Sequence, residues 1–182
     1  LDSATSPHGQ WCPLLPWGDD AGTVGATIAT ATAGPFSTQL GRPRDLVLGV
    51  EAVDGTGRII AAGGRVVKNV AGFDLTRAFT GSWGTLAAIT HVHLRLRARP
   101  AIDETWSVAG DLGDSTLRSA LHQLAQGAYA PLGLLGLTPA QATAIGVEAG
   151  TAALVRLGGN RAFVDASLAA LRALGTCTPT DP

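Results

Sequence analysis

The sequence predicts an α+β fold in which antiparallel sheet is flanked by helices. Residues 46–53 form an apolar, β-branched run, and the turn sequence Asp-Gly-Thr-Gly at 54–57 leads into a returning strand at 58–62. Asp-Gly between two such runs is a strong short-range signal for a hairpin. Residues 86–97 then alternate with the period of two that is typical of a half-exposed strand. Leucines at helical spacing predict two later amphipathic helices, at about 115–126 and 162–174.

The segments before the hairpin are less regular. Residues 1–22 contain six prolines and glycines, and we predict no stable element there. The small-residue run at 23–34 is compatible with a helix start or with a tight turn. After the hairpin, Asp74 can cap a short helix that runs through Phe79 and ends at Gly81.

The alternating strand at 86–97 has one apolar and one basic face. Val92, Leu94 and Leu96 share the apolar face, and the other face carries His91, His93, Arg95 and Arg97. His91 and His93 have the i, i+2 spacing of a possible metal pair. Because the sequence places no carboxylate or Cys close by, we favour solvent-facing histidines over metal ligands.

Arg99 and Pro100 mark a boundary between two predicted domains, 1–99 and 100–182. The second domain has a predicted β-α-β-β-α order, which resembles a split βαβ sheet backed by helices, with its end missing. Its first helix is capped by Asp114 or Ser115. Its strands are predicted at 104–108, 131–137 and 152–157, and the polar tail at 176–182 is predicted to be frayed.

Composition excludes several classes of function. The 182-residue chain has a net charge of −1, which favours neither nucleic acid nor an anionic membrane surface. Cys12 and Cys177 lie near opposite ends, so neither a metal site nor a disulfide framework is indicated and a reducing compartment is expected. No apolar run is long enough to span a bilayer. The chain begins with Leu1 and contains no Met, and we expect a fragment of a longer protein.

The strongest functional signal is the segment 64–90. It contains four glycines and two small hydroxyl residues around one short helix: Gly64, Gly72, Gly81, Gly84, Ser82 and Thr85. Glycine lets a backbone approach a ligand closely, and backbone N–H groups bind oxyanions. The segment therefore predicts a site for a phosphate-bearing ligand, in which the loop 81–85 grips a pyrophosphate and Lys68 and Asn69 contact cofactor or substrate.

Two further clusters have alternative explanations. In the run 22–26, Thr23 is equally compatible with a hydroxyl donated to a ligand and with a simple helix entry. In the run 41–45, Arg42 or Arg44 can meet a phosphate, but a surface pair with Asp45 within a turn is the favoured interpretation.

Motifs for chemistry by the chain's own side chains are absent from the sequence. It has no Gly-x-Gly-x-x-Gly fingerprint, no Walker-type loop and no Gly-x-Ser-x-Gly elbow, and no two carboxylates have convincing spacing for acid–base work. We therefore predict no catalytic residue in this chain, and a bound cofactor has to supply the chemistry.

Residues 65–90, with the Lys-Asn-Val-Ala-Gly-Phe-Asp-Leu run at 68–75, resemble the FAD-linked oxidase family, which has the vanillyl-alcohol-oxidase or PCMH-type FAD-binding fold. Thr-Val-Gly-Ala at 23–26, Gly-Pro at 34–35 and the run at 44–50 follow the family's order. Within the family, the chain looks most like the FAD-binding small subunits of bacterial glycolate oxidases. The resemblance covers roughly residues 5–100.

The resemblance implies FAD as cofactor and implies two sets of binding residues. One set would line the flavin and its pyrophosphate: Thr23, Val24, Gly25 and Ala26. The other would form the opposite wall: Gly72, Gly81, Ser82, Gly84, Thr85 and Ile89. The sequence departs from the family pattern at three positions. Trp83 stands where many members have Glu, and Ala87 and Ala26 stand where Gly is usual. Extra methyl groups at such contacts would crowd the ligand.

The resemblance also implies an architecture and a reaction. Residues 1–99 would be the second subdomain of the FAD-binding domain, with the first subdomain missing, and 100–182 would be part of a ferredoxin-like cap domain. The protein would be a cytoplasmic subunit, at most peripheral at the inner face of a membrane, that oxidises glycolate to glyoxylate beside a larger flavin subunit and an iron–sulfur subunit. The alternatives are a flavin-free assembly subunit and another FAD-linked oxidase of the same fold.

Overall fold

The structure is a computed structural model that describes residues 1–14, 22–64 and 74–180. The chain forms two compact units, Leu1–Arg99 and Pro100–Pro182. Both are mixtures of helices and antiparallel strands, so the predicted α+β class is confirmed.

The first unit is built around a three-stranded antiparallel sheet. Its helices are α1 Asp2–Thr5, α2 Val24–Thr30, α3 Ser37–Leu40, α4 Pro43–Leu46 and α5 Leu75–Phe79. Its strands are β1 Gln10–Trp11, β2 Val47–Val53, β3 Ile59–Gly63, β4 Ala88–Leu94 and β5 Arg97–Ala98. The strand order is β3-β2-β4, which places the apolar β2 in the centre, and β1 pairs separately with β5. The predicted hairpin and the predicted strand after it are therefore present, with ends shifted by one to three residues.

Two glycines permit the close approach of β2 and β3. Gly49 pairs with Gly63, where φ is +69°, a backbone conformation that L side chains rarely adopt. A Cβ atom on Gly63 would lie 2.2 Å from the carbonyl oxygen of Leu48, and one on Gly49 would lie 2.5 Å from the amide nitrogen of Gly64. Any side chain at either position would force the strands apart.

The prediction of no stable element before residue 22 is wrong in the described part, 1–14. Helix α1 and strand β1 both form there, joined by a 3-10 turn at Ser6–His8. Antiparallel pairing of Gln10 with Ala98 and of Trp11 with Arg97 supplies hydrogen bonds from a distant segment. A local count of prolines and glycines does not register such pairing.

The second unit is a four-stranded antiparallel sheet with helices. Its strands are β6 Ile102–Ala109, β7 Gly133–Gly136, β8 Thr151–Gly159 and β9 Cys177–Thr180, in the order β7-β8-β6-β9. Its helices are α6 Ser115–Gln126, α7 Pro139–Ala144 and α8 Arg161–Arg172. The predicted strands and the two amphipathic helices are present, and Asp114 caps α6 as expected. Leu121 of α6 and Val164 and Leu171 of α8 pack with apolar residues of β6 and β8 in one core cluster.

Two elements of the second unit differ from the prediction. The described part of the tail is not frayed, because Cys177–Thr180 pair with β6 as an edge strand, and Ser107 Oγ lies 2.7 Å from Thr178 Oγ1. Pro179 is compatible with this position, since an edge strand leaves one row of its backbone groups unpaired. Helix α7 was also missed. It begins with a capping box in which Thr138 and Gln141 each bond the other's backbone N–H.

Candidate functional site

Helix α2 begins at one of the predicted ligand-contacting runs. Thr23 is its N-cap, and the Thr23 Oγ1 atom accepts a hydrogen bond of 3.1 Å from the Ala26 amide. That bond uses an acceptor lone pair of the hydroxyl and leaves its O–H free to donate. Both interpretations of Thr23 are thus compatible with one geometry. Thr23, Val24 and Ala26 are exposed, and Gly25 is half-buried.

The other predicted run, the loop 81–85, attaches to the opposite end of α2. The Gly81 amide donates to the Ile28 carbonyl at 3.0 Å, and the Trp83 amide donates to the Ala29 carbonyl at 2.9 Å. Both carbonyls lie in the last turn of the helix, where they lack i+4 partners within the helix, and the Ile28 carbonyl also accepts from the Ala31 amide at 3.1 Å. From Gly25 to Ala29 the helix rises about 6 Å. The loop is therefore anchored one turn away from the residues at the helix start.

Ser82 has a side chain that the described residues leave unsatisfied. Its Oγ atom is buried and has no hydrogen-bond partner among them. A buried hydroxyl without a partner costs about 1–3 kcal/mol. Thr85 is different, since its hydroxyl donates to the Ser82 carbonyl at 2.6 Å and its side chain is exposed. Ser82 thus offers the hydrogen-bonding capacity that an oxygen-rich ligand requires.

The glycines of the predicted site are not equivalent. A Cβ atom on Gly84 would have no heavy atom within 4 Å, and one on Gly25 would meet only Thr23 Oγ1, at 3.9 Å. Open space at these two positions fits the approach of a ligand. A Cβ on Gly81 would lie 3.2 Å from the Ala31 Cβ, and its φ is +83°. Gly81 is therefore required by the packing and by the backbone conformation of the protein itself.

The remaining predicted residues have other surroundings. Ile89 is half-buried and packs on a core cluster that contains Phe79 and Ala87. Ala87, one of the departures from the family pattern, is 5% exposed and contributes its methyl group to that cluster. Trp83 is 74% exposed and has a φ of +56°, which is rare for a residue other than glycine. Gly72, Lys68 and Asn69 lie outside the described residues.

Asp74 caps helix α5, as predicted. Its Oδ1 atom accepts from the Arg77 amide at 3.1 Å and from the Thr76 hydroxyl. The hydrogen bond from Thr76, followed by the one from Arg77, lowers the pKa of the Asp74 carboxyl from its ordinary value. This carboxylate is exposed and is used by the cap, which makes it unsuited to proton transfer.

The histidines of β4 have a carboxylate neighbour that the sequence did not suggest. The His91 Nδ1 atom lies 3.3 Å from the Glu51 Oε2 atom, because β4 pairs with β2 and sets these two residues opposite each other. The expectation that no carboxylate lies near these histidines is therefore wrong. His91 is exposed, and within residues 1–14, 22–64 and 74–180 no group of three His, Cys, Asp or Glu side chains has the arrangement of a metal site.

The run 41–45 forms the start of α4, where the Arg42 amide donates to Asp45 Oδ2 at 3.0 Å. This contact joins the Arg42 backbone, and not its guanidinium, to the Asp45 carboxylate. Arg42 and Asp45 also line a cleft with Arg95 and Arg97. The sequence predicted Arg95 and Arg97 on the basic face of a strand but did not predict that they meet Arg42 in one cleft. The only sequence signal for this was that the run 41–45 and the strand 86–97 are both basic.

Comparison with known proteins indicates the family of this chain and its fold. Residues 1–63 match a family described as an FAD binding domain. The chain superposes on a solved alkyldihydroxyacetonephosphate synthase with a TM-score of 0.76 over 98% of this chain and 37% of that chain, at 18% identity, which is evidence for the fold alone. None of the helices in the described ranges is long and apolar enough to cross a membrane.

Two curated relatives narrow the class. Glycolate oxidase subunit GlcE of Escherichia coli is 34% identical over 139 residues, which are 75% of this chain and 38% of that protein. D-lactate dehydrogenase of Archaeoglobus fulgidus is 44% identical over 96 residues, 53% of this chain and 21% of that protein. The chain belongs to the FAD-linked oxidase family, as the sequence predicted, and the expected cofactor, FAD, is the cofactor of that family. It spans less than two fifths of the length of these relatives.

Proposed function

We propose that this chain is the FAD-binding part of an oxidoreductase that oxidises the CH–OH group of a 2-hydroxy acid, glycolate to glyoxylate. The observation that carries the proposal is its 34% identity over 139 residues to a glycolate oxidase subunit. A bound flavin supplies the redox chemistry by taking up a hydride equivalent. The residues of this chain bind and position that cofactor.

The first turn of α2 and the loop 81–85 are the binding surfaces in this proposal. The exposed turn at 23–26 offers the Thr23 hydroxyl and open space beside Gly25. The loop offers the unpartnered Ser82 Oγ and open space at Gly84. Thr85 orders the loop through its bond to the Ser82 carbonyl. These features support a surface that donates hydrogen bonds to the phosphate oxygens of a dinucleotide and leaves room for its close approach to the backbone.

The proposal includes an assembly. Relatives carry the names of two glycolate oxidase subunits, GlcE of Escherichia coli and GlcD of Bacillus subtilis, the latter 37% identical over 102 residues. We infer that this chain works beside a larger flavin subunit and an iron–sulfur subunit, in the cytoplasm or at the inner face of the membrane. Residues 1–99 would form the second subdomain of the FAD-binding domain and 100–182 part of a cap domain.

Two alternatives have specific support. The 44% identity to a D-lactate dehydrogenase favours D-lactate as the 2-hydroxy acid in another oxidase of this fold. A flavin-free assembly subunit is favoured by the packing of Gly81 against Ala31 and by the exposed indole of Trp83. A visible absorbance spectrum of the intact protein distinguishes a flavin-free subunit from a flavoprotein, because only the flavoprotein shows flavin bands.

The proposal is tested by titrating FAD into the chain and into Ser82→Ala. We expect FAD to bind the chain saturably and the substitution to weaken binding by about five- to tenfold, the effect of one lost hydrogen bond. The melting temperature of the ligand-free variant should not fall, because the substitution removes a buried hydroxyl that has no partner.

Ser115→Ala, at an exposed position of α6, is the matched control and should leave FAD affinity unchanged. Undetectable FAD binding by the unaltered chain, or equal affinities in Ser82→Ala and the unaltered chain, would contradict the assigned site. If the assembled complex turns over D-lactate but not glycolate, the substrate is D-lactate and the proposal of glycolate is wrong.

A further inference from the structure

The first unit contains a cleft that the flavin proposal does not use. It has a volume of about 570 Å³ and is formed by α3, the turn into α4 and the residues that follow β4. This volume lies within the roughly 300–1,000 Å³ range of small-molecule sites. No residue of the 23–26 turn or of the 81–85 loop lines it.

The lining of the cleft is rich in positive charge. Arg42, Arg95 and Arg97 line it together with one carboxylate, that of Asp45, which leaves an excess of two positive charges. Asp45 already accepts the Arg42 amide at 3.0 Å, so part of its negative charge is engaged by the start of α4. Guanidinium groups match the oxygens of phosphates and carboxylates in charge and in geometry.

Arg97 provides an independent observation. One of its terminal nitrogens, Nη2, donates to the Leu40 carbonyl at 3.1 Å, which fixes the side chain against the loop after α3. Its Nε atom is buried and has no partner among the described residues. A charged donor without an acceptor is costly in a folded protein, and a bound oxyanion is the acceptor that would relieve this cost.

We propose that this cleft binds a phosphate-bearing small molecule. Arg42, Arg95 and Arg97 contact the phosphate, and the hydroxyls of Ser37 and Thr38, which also line the cleft, are additional donors. The excess of two positive charges favours a phosphate dianion over a singly charged carboxylate. The arginines come from two distant segments, which the fold holds together through the bond between Arg97 and Leu40.

The test is isothermal titration of inorganic phosphate, pyrophosphate and acetate into the 182-residue chain at constant ionic strength. We expect saturable binding of phosphate and pyrophosphate, with acetate at least about tenfold weaker. Arg42→Gln and Arg95→Gln should each weaken phosphate binding by about tenfold or more, since each removes a charge-assisted contact. Both side chains are exposed, so the variants should fold.

Arg44→Gln is the matched control, because Arg44 is an exposed arginine of helix α4, two residues after Arg42 in the chain, that does not line the cleft. Arg97→Gln adds a further test, with a thermal melt to detect any loss of folding from the broken Leu40 contact. The proposal is overturned if phosphate and pyrophosphate do not saturate, if acetate binds equally well, or if Arg44→Gln weakens binding as much as Arg95→Gln.

The outcome is distinguishable from that of the flavin proposal. Arg95→Gln should leave FAD affinity unchanged, and Ser82→Ala should leave phosphate affinity unchanged. If the unaltered chain binds FAD but not phosphate, only the cleft proposal is contradicted. If it binds phosphate but not FAD, only the flavin proposal is contradicted. If pyrophosphate displaces FAD and Arg95→Gln abolishes the displacement, the cleft is part of the flavin site and its independence is refuted.

Discussion

Asp54 carries most of the polar structure of the β2–β3 turn. Its Oδ1 atom accepts from the Thr56 amide, the Thr56 hydroxyl and the Arg58 amide, and its Oδ2 atom accepts from Arg58 Nε at 3.1 Å. The hydrogen bond from the Thr56 hydroxyl, followed by those from the two amides, lowers the pKa of the Asp54 carboxyl from 3.8 to about 2. Donors aimed at a carboxylate favour its charged form.

This shift predicts a pH dependence of stability. A carboxyl with a lowered pKa in the folded state contributes stability that is present above its unfolded pKa of 3.8 and is lost as the pH falls toward about 2. We expect Asp54→Asn to lose less stability than the unaltered chain between about pH 5 and about pH 2. Urea midpoints at both pH values provide the measurement.

Glu148→Gln is the control for removing a carboxylate, at an exposed position outside this turn. An unchanged pH dependence in Asp54→Asn would show that the turn does not hold its carboxylate in the charged form.

Functional and capping residues could be predicted where their partners lie close in the sequence. They were missed where the partners come from distant segments. Asp74 was predicted as a helix cap, and Thr23 and Asp114 each as one of two alternatives, because a cap and its amide lie within three residues of each other. The unpartnered Ser82 Oγ was suggested only as a ligand contact, since its burial depends on the fold. The meeting of Arg42 and Arg97 in one cleft had no local signal.

At the scale of elements, one helix and one strand were missed, for different reasons. Helix α7 was missed although Thr-Pro-Ala-Gln at 138–141 carries the capping-box pattern and a proline at the first helical position. Strand β9 was missed for a physical reason, since its residues are polar and its stability comes from pairing with β6 about 70 residues earlier in the chain. By contrast, the local patterns of α6, α8 and the β2–β3 hairpin were sufficient to predict these elements.

Helix α8 provides a test of a cap at this scale. The Asn160 Oδ1 atom accepts from the Phe163 amide at 2.9 Å. We expect Asn160→Ala to lower the free energy of unfolding by about 1 kcal/mol, because one amide of the first turn loses its acceptor. Asn160→Asp keeps an acceptor oxygen and should remain close to the unaltered chain. Equal losses in both variants, measured by urea denaturation, would show that the cap is not the cause.

At the scale of the whole molecule, each unit has its own apolar cluster. Val50, Ala52, Phe79 and Ala87 form the one in the first unit, and Leu171 belongs to the larger cluster of the second. The sequence boundary at Arg99 and Pro100 coincides with the division between the units. The leucines at helical spacing in α6 and α8 belong to or pack on the second cluster, as their periodicity suggests, whereas Val92, Leu94 and Leu96 are not among the residues of the first. The pairing that builds the sheets joins segments that no local pattern connects.

Leu171→Ala tests the separateness of the clusters. Leu171 is fully buried, and its truncation should cost about 2–5 kcal/mol of stability in the second unit. Native-state hydrogen exchange is expected to show faster exchange of amides in 100–180 than in the first unit. Phe79→Ala, the matching substitution in the other cluster, should show the reverse. Uniform acceleration throughout the chain by either variant would indicate a single cooperative core.

The exposed indole of Trp83 has an optical consequence. It stands 74% exposed on the loop that also carries Ser82, while Trp106 is 8% exposed in the second unit. An isoalloxazine ring seated near this loop would quench the emission of Trp83 by energy transfer. The chain therefore carries an intrinsic fluorescent reporter of flavin binding at the loop 81–85. Trp83→Phe would show which part of the emission comes from Trp83.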